Sequence, residues 1–222
     1  MGSGALTPLQ VRMLQILADL EPRWTLTGGG ALVGFHLHHR ATRDLDLFLH
    51  GQRTLEDYAA RVSDRLQSQG LGVQSLQTGT SMHRLQVDEG GESVVLDLVA
   101  EPVPVVEPPL EVSLGNVSIR VDGRHEILVN KLCALIQRSE LRDLVDVHRL
   151  LDSGGDLRRA LEDAPRKDSG FSPLALAWSL KELPMSAQAK AEGWPEDRIE
   201  SLEGFRNSFL AALADLTRPE TD

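Results

Sequence analysis

Apolar residues at Leu6, Leu9, Met13, Ile16, Leu17 and Leu20 recur at helical spacing. Thr7 supplies an N-cap and Pro8 a first helical position, and Pro22 closes the helix. WTLT, residues 24–27, reads as a short strand. Three consecutive glycines then predict a tight turn, and residues 31–39 a helix. The next run, DLDLFL at 44–49, alternates: Leu45, Leu47 and Leu49 face a core, while Asp44 and Asp46 share the opposite face.

Residues 54–69 are amphipathic, with Leu55, Tyr58, Ala59, Val62 and Leu66 on one side and Gly70 as a C-cap. Two alternating stretches follow, LGVQSLQT and MHRLQVDE. A turn at Gly90-Gly91 leads into SVVLDLVA, apolar enough for a central buried strand with Asp97 as its one charge. Residues 101–109 hold four prolines and read as a crossing loop. LEVSLGNVSIRV reads as a hairpin turning at Gly115-Asn116. After Gly123 the pattern becomes helical, over 125–138, 140–151, 156–164, 173–181 and 197–216. The expected fold is α/β (α+β): a small, mixed, twisted sheet with helices on one side in residues 1–122, then a helical domain over 123–222.

At 222 residues the chain can bury a substantial core as one domain or two. No apolar run reaches the roughly 18 residues of a membrane span. No signal-peptide pattern opens the chain, so a cytoplasmic location is expected. The single cysteine, Cys133, excludes an internal disulfide and sits in the apolar stretch LCALI as a small buried side chain. A net charge of −10 and only 4% aromatic residues argue against broad nucleic-acid binding through a basic or base-stacking surface. A local basic patch holding one nucleic-acid end stays open.

Against that background, the segment 26–48 concentrates the chemistry. Two carboxylates side by side on a strand repel unless a cation lies between them. Hard cations such as Mg²⁺ take carboxylate oxygens and complete their shell with water and phosphate. Gly28 and Gly29 permit close backbone approach, and the helix after them points N–H groups at the same place. An anion cradle followed by metal carboxylates is the layout of a nucleoside-triphosphate site. Read singly, the glycines are a turn and the Asp-x-Asp a pair of solvated caps. Together, in the order strand, Gly turn, helix, strand, they are more specific. A dinucleotide fingerprint fits poorly, since GGGALV lacks the G-x-G-x-x-G spacing. Asp97, mid-strand in an apolar run, is either a surface-facing residue or a third carboxylate beside Asp44 and Asp46.

The stretch GGGALVGFHLHHRATRDLDLF resembles the glycine-pair and Asp-x-Asp signature of the DNA polymerase β-like nucleotidyltransferase superfamily. KLCALIQRSELRDLVDVHRL, with its lysine and Arg-Asp-x-x-Asp, is similar to the AbiEii/AbiGii group, which includes toxins of toxin–antitoxin pairs and of abortive-infection systems. The likeness covers residues 24–151. It implies that Gly28 and Gly29 cradle the triphosphate, and that Asp44 and Asp46 hold metal. It implies Asp97 as third carboxylate, metal ligand and general base, with Lys131 neutralising the triphosphate and Asp143 and Asp146 supporting catalysis. Family members often carry Ser or Thr at the place of Gly30, so a hydroxyl contact to phosphate is missing here.

If residues 127–151 were one helix, Lys131, Arg138, Arg142, Asp146 and Arg149 would form one stripe. Such a stripe is either a solvated ion-paired face or a set of cations facing the nucleotide, with Arg142 also placed to clamp Asp146. Arg40 and Arg43 flank the Asp-x-Asp strand and are either surface arginines or triphosphate ligands. His36, His38 and His39 lack the further partners a zinc site needs. The expected reaction is nucleotidyl transfer from an NTP with a two-metal Mg²⁺ site. The resemblance leaves the acceptor open between a tRNA 3′ end, used by some members, and protein hydroxyls, and it brings a cognate antitoxin into view as protein partner. A nucleotide-binding regulator and a plain interaction protein on the same fold are the alternatives.

Overall fold

Helix α1 (Pro8–Leu17) starts as its sequence dictates. Thr7 Oγ1 accepts from Gln10 N and Gln10 Oε1 accepts from Thr7 N, a reciprocal cap. In this computed structural model, which describes residues 6–218, the chain divides into two compact units, Met1–Ile127 and Leu128–Asp222.

The first unit is built on one seven-stranded mixed sheet. Its strands are β1 (Thr25–Thr27), β2 (Asp44–His50), β3 (Gly72–Thr78), β4 (Met82–Glu89), β5 (Glu92–Glu101), β6 (Leu110–Leu114) and β7 (Val117–Val121). They lie in the order β3-β4-β5-β2-β1-β7-β6, with β2 at the centre. The β2–β5 and β1–β7 pairs are parallel and the others antiparallel. All seven strands lie where the alternation and turn glycines predict, and Gly90, Gly91 and Gly115 take the positive φ their turns need.

Burial alternates along β2, with Leu45, Leu47 and Leu49 inside. Leu14 and Leu17 of α1 meet Leu26, Leu47 and Ile119 around one small cavity, so α1 covers the leucine face. Each such leucine stabilises the unit by about 2 kcal/mol. Along β5, Val94, Leu96, Leu98 and Ala100 belong to this buried side, while Val95 and Val99 are only half-buried on the other. The expectation of a strand buried on both faces is thus corrected: β5 alternates, and Asp97 belongs to the more open face. The proline-rich loop lacks ladder partners, and buried Glu126 supplies them, accepting from the Val106 and Glu107 amides.

The glycine triplet departs from expectation. Gly28–Gly30 are not a turn ahead of a helix but its first residues: α2 (Gly28–Ala31) runs into a π-helical stretch, Leu32–His36, ending three residues before the predicted His39. Helix α3 (Tyr58–Ser68) likewise starts four residues later than its pattern, after Glu56 at φ +46°.

Helix α4 (Arg124–Gln137) begins in the first unit and continues into the second. The second unit holds α5 (Leu141–Asp152), α6 (Leu157–Lys167), α7 (Pro173–Glu182), α8 (Met185–Ala191) and α9 (Glu196–Leu216). A single helix over 127–151 does not form. Ser139 at φ +49° ends one helix and Glu140 opens the next, so the expected stripe of cations is broken. Helix α8 carries no clear apolar period and was not predicted. Cys133 is buried, and burial pushes its thiol up to about 12, which keeps it protonated and inert. No helix among the described residues is long and apolar enough to cross a membrane.

Candidate active site

Strand pairing sets a row of polar side chains across the open face of the sheet. Thr27 on β1 stands opposite Asp46 on β2, Asp46 beside Asp97 on β5, and Asp97 opposite Arg84 on β4. Asp44 shares the face two residues before Asp46, in register with Val95. Neighbouring strands lie about 4.8 Å apart. Like charges at such spacing repel by roughly 3 kcal/mol at an effective dielectric of about 20.

A cation that the sequence did not reveal offsets part of this repulsion. Arg84 donates from Nε to Asp97 Oδ1 and from Nη2 to Oδ2, both at 2.7 Å. The Asp97 hydrogen bonds, then its charge and those of Asp44 and Asp46, raise the Arg84 guanidinium further above its ordinary value. On one strand of alternating residues, Arg84 looks like any solvated arginine. Only the register of β4 against β5 gives it a role.

The glycines meet the carboxylates directly. A Cβ on Gly28, at φ +58°, would penetrate the van der Waals shell of Asp46 Oδ2. A Cβ on Gly29 would lie 2.8 Å from Arg40 Nη2 and 3.2 Å from Thr42 Oγ1. Gly28, Gly29, Arg40 and Asp46 therefore gather at one end of the sheet. Gly30 is different: a Cβ there would meet Leu26 and Leu45 side chains at 3.0 and 3.1 Å, so it serves packing of the helix on the core. The chain entering β2 is held by buried Gln10, whose Nε2 donates to Thr42 O. Arg43 is exposed.

These contacts predict different outcomes at adjacent positions. Gly28→Ala should destabilise the sheet unit by about 2 kcal/mol in urea unfolding, since both backbone and Asp46 oppose the methyl group. Gly29→Ala meets the movable end of Arg40, so it should leave stability nearly unchanged.

A second cluster forms inside the helical unit. Lys131 Nζ on α4 lies 2.7 Å from Asp143 Oδ1 and 2.8 Å from Asp146 Oδ2, both on α5. Arg138 donates from Nε and Nη2 to the two oxygens of Asp143. Lys131 is 6% exposed, and both aspartates are fully buried. Burial alone would raise Asp143, but the Arg138 hydrogen bonds and the Lys131 charge outweigh it and hold the carboxyl below its ordinary value. Arg142 Nε pairs with Glu140. Arg149 is paired with Asp152.

His36 Nε2 lies 2.8 Å from the Asp122 carbonyl oxygen, and burial lowers its pKa. Among the described residues, no group of three or more His, Cys, Asp or Glu is arranged to hold a metal ion. Asp44 and Asp46 nevertheless offer hard oxygen donors beside a backbone cradle that a Cβ would fill. Mg²⁺ is commonly bound by one or two carboxylates with substrate phosphates completing its shell, and this donor set fits it. Both oxygens of Asp97 are engaged by Arg84.

Comparison with known proteins places the chain in a family and a fold. A family model described as the nucleotidyl transferase AbiEii toxin of type IV toxin–antitoxin systems matches residues 12–215. Among solved structures, a candidate nucleotidyltransferase from H. pylori superposes with a TM-score of 0.55 at 18% identity, covering 96% of this chain and 100% of its own. JHP933 from Helicobacter pylori gives 0.54 at 18%, covering 92% and 91%. An antigenic nucleotidyltransferase-like protein from Paracoccidioides brasiliensis gives 0.51 at 17%, covering 82% and 90%. At these identities the three establish likeness of fold. No curated protein matches the sequence.

Proposed function

Because this chain belongs to the nucleotidyl transferase AbiEii toxin family, we propose that its nucleotidyl transfer takes place on the carboxylate face of the sheet, with Mg²⁺ as cofactor and an NTP as donor. The family makes the protein a nucleotidyltransferase; the site, metal, acceptor and toxin role are the proposal. The observation that carries it is the packing of Gly28 against the Asp46 carboxylate with Arg40 over Gly29.

In this reading, Asp44 and Asp46 hold the metal, which when bound neutralises phosphate charge and supports the leaving oxygen. The backbone at Gly28 and Gly29 and the Arg40 guanidinium receive the triphosphate, with exposed Arg43 beside them. An acceptor hydroxyl oxygen attacks the α-phosphorus, the bond to the β-phosphate breaks, and pyrophosphate leaves. Asp97 takes the hydroxyl proton. Catalysis then consists mainly of positioning and charge neutralisation. The acceptor to test first is the tRNA 3′ end, and the protein partner to seek is a cognate antitoxin.

A second reading, nucleotide binding without transfer, draws on the engagement of Asp97 by Arg84. The test is incubation with each α-³²P-labelled NTP, Mg²⁺ and total tRNA, with Asp44→Ala/Asp46→Ala as control. Label moving onto tRNA in the wild type alone supports the proposal and identifies base and acceptor. Label on the protein points to self-modification. NTP binding without transfer supports the second reading, and no NTP binding overturns both.

A further inference from the structure

We propose that Arg84 is an internal stand-in for a divalent cation at Asp97, exchanged when a metal-bound nucleotide arrives. The inference rests on reading Asp97 as part of the nucleotidyl-transfer site. A guanidinium is a planar fork of donors with fixed charge, and here it takes both carboxylate oxygens at 2.7 Å. A hard cation seeks the same oxygens. Guanidinium and metal therefore compete for Asp97.

The pair is built for exchange rather than permanence. The Asp97 side chain is 9% exposed, whereas that of Arg84 is 42% exposed, so the arginine can turn outward while the carboxylate stays fixed on β5. Asp46 stands in register beside Asp97, and Asp44 acts with it on the Arg84 charge. Without Arg84, the oxygens of Asp97 would be open to a divalent cation before any nucleotide arrives. With it, the third carboxylate is already neutralised. An incoming triphosphate offers Arg84 another bidentate oxygen partner and brings the cation that replaces it. Arg84 thereby acts as a positioning residue that makes metal occupancy of Asp97 conditional on substrate.

The test measures Mn²⁺ binding to the full chain without nucleotide, following free Mn²⁺ by electron paramagnetic resonance. Arg84→Gln should bind Mn²⁺ at least tenfold more tightly than wild type. Adding Asp97→Asn should remove the gain. Arg84→Lys, which keeps the charge but loses the fork, should fall between. Arg120→Gln removes a charge from β7 of the same sheet, where it pairs with Glu111, without freeing Asp97 and should leave Mn²⁺ affinity close to wild type. A nonhydrolysable NTP analogue should narrow the difference between wild type and Arg84→Gln. The proposal is overturned if Arg84→Gln and Arg84→Lys, both folded by circular dichroism, bind Mn²⁺ no tighter than wild type. An equal gain in Arg120→Gln also overturns it, because the effect would then be general electrostatics. The Asp97-dependent gain can appear in a chain that transfers no nucleotide, and it can be missing from one that does, so this inference and the transferase reading fail separately.

Discussion

Asp46→Asn should lower nucleotidyl transfer by at least about a thousandfold, some 4 kcal/mol of transition-state stabilisation, while leaving the protein as stable as wild type or more so. Both halves follow from the same row of side chains. Asp46 stands between Thr27 and Asp97 and touches the Gly28 backbone, so its carboxylate is central to the proposed metal and triphosphate site. It is also one of three like charges that share one face of the sheet. Asparagine keeps the shape and removes the repulsion. Stability sacrificed for function is common at active sites. Label transfer and urea unfolding on one preparation check the pair of outcomes. A variant that keeps wild-type turnover removes Asp46 from the site, and one that unfolds in milder urea assigns it a structural role instead.

Lys131→Met should destabilise the helical unit by about 3–5 kcal/mol, the usual cost of removing one partner of a buried ion cluster. The methionine fills similar volume, so the loss is electrostatic: Asp143 keeps Arg138, but two fully buried carboxylates lose the ammonium they share. Lys131→Met combined with Asp143→Asn and Asp146→Asn should recover much of the loss, since the cluster then holds no buried carboxylate without its ammonium. Far-UV circular dichroism during urea unfolding resolves the three proteins. Wild-type stability in Lys131→Met would show that the cluster does not hold the unit together. Acid extends the same reasoning. The folded-state value of Asp143 lies below the unfolded one, so its contribution is complete above the ordinary carboxylate range and disappears as pH falls through the lowered value. The helical unit should therefore lose stability in acid, below about pH 4.

Lys131, Asp143 and Asp146 also show where reading a sequence reaches its limit. Their spacing is visible in KLCALIQRSELRDLVDVHRL, and so are both helices. What is not visible is Ser139 in the left-handed region, which lets α4 and α5 fold against each other through this buried pairing instead of continuing as one stripe. The strands were legible because alternation and turn glycines are local signals. Arg84 was not, because its meaning depends on the register between β4 and β5. Helix α8, short and made largely of small residues between Pro184 and Gly193, gave too little periodicity to detect. The glycine triplet reads as a turn because sequence alone does not separate a glycine turn from a glycine-started helix.

Gln10 gives the first helix an unexpected reach. Its side-chain oxygen closes the cap on Thr7, while its nitrogen holds the Thr42 carbonyl just ahead of Asp44. One amide thus couples fraying at a helix end to the order of the segment that feeds the carboxylate strand. A substitution that opens the cap at residue 7 should also loosen the far end of the same tether, thirty-odd residues away in sequence, at Thr42 above Gly29.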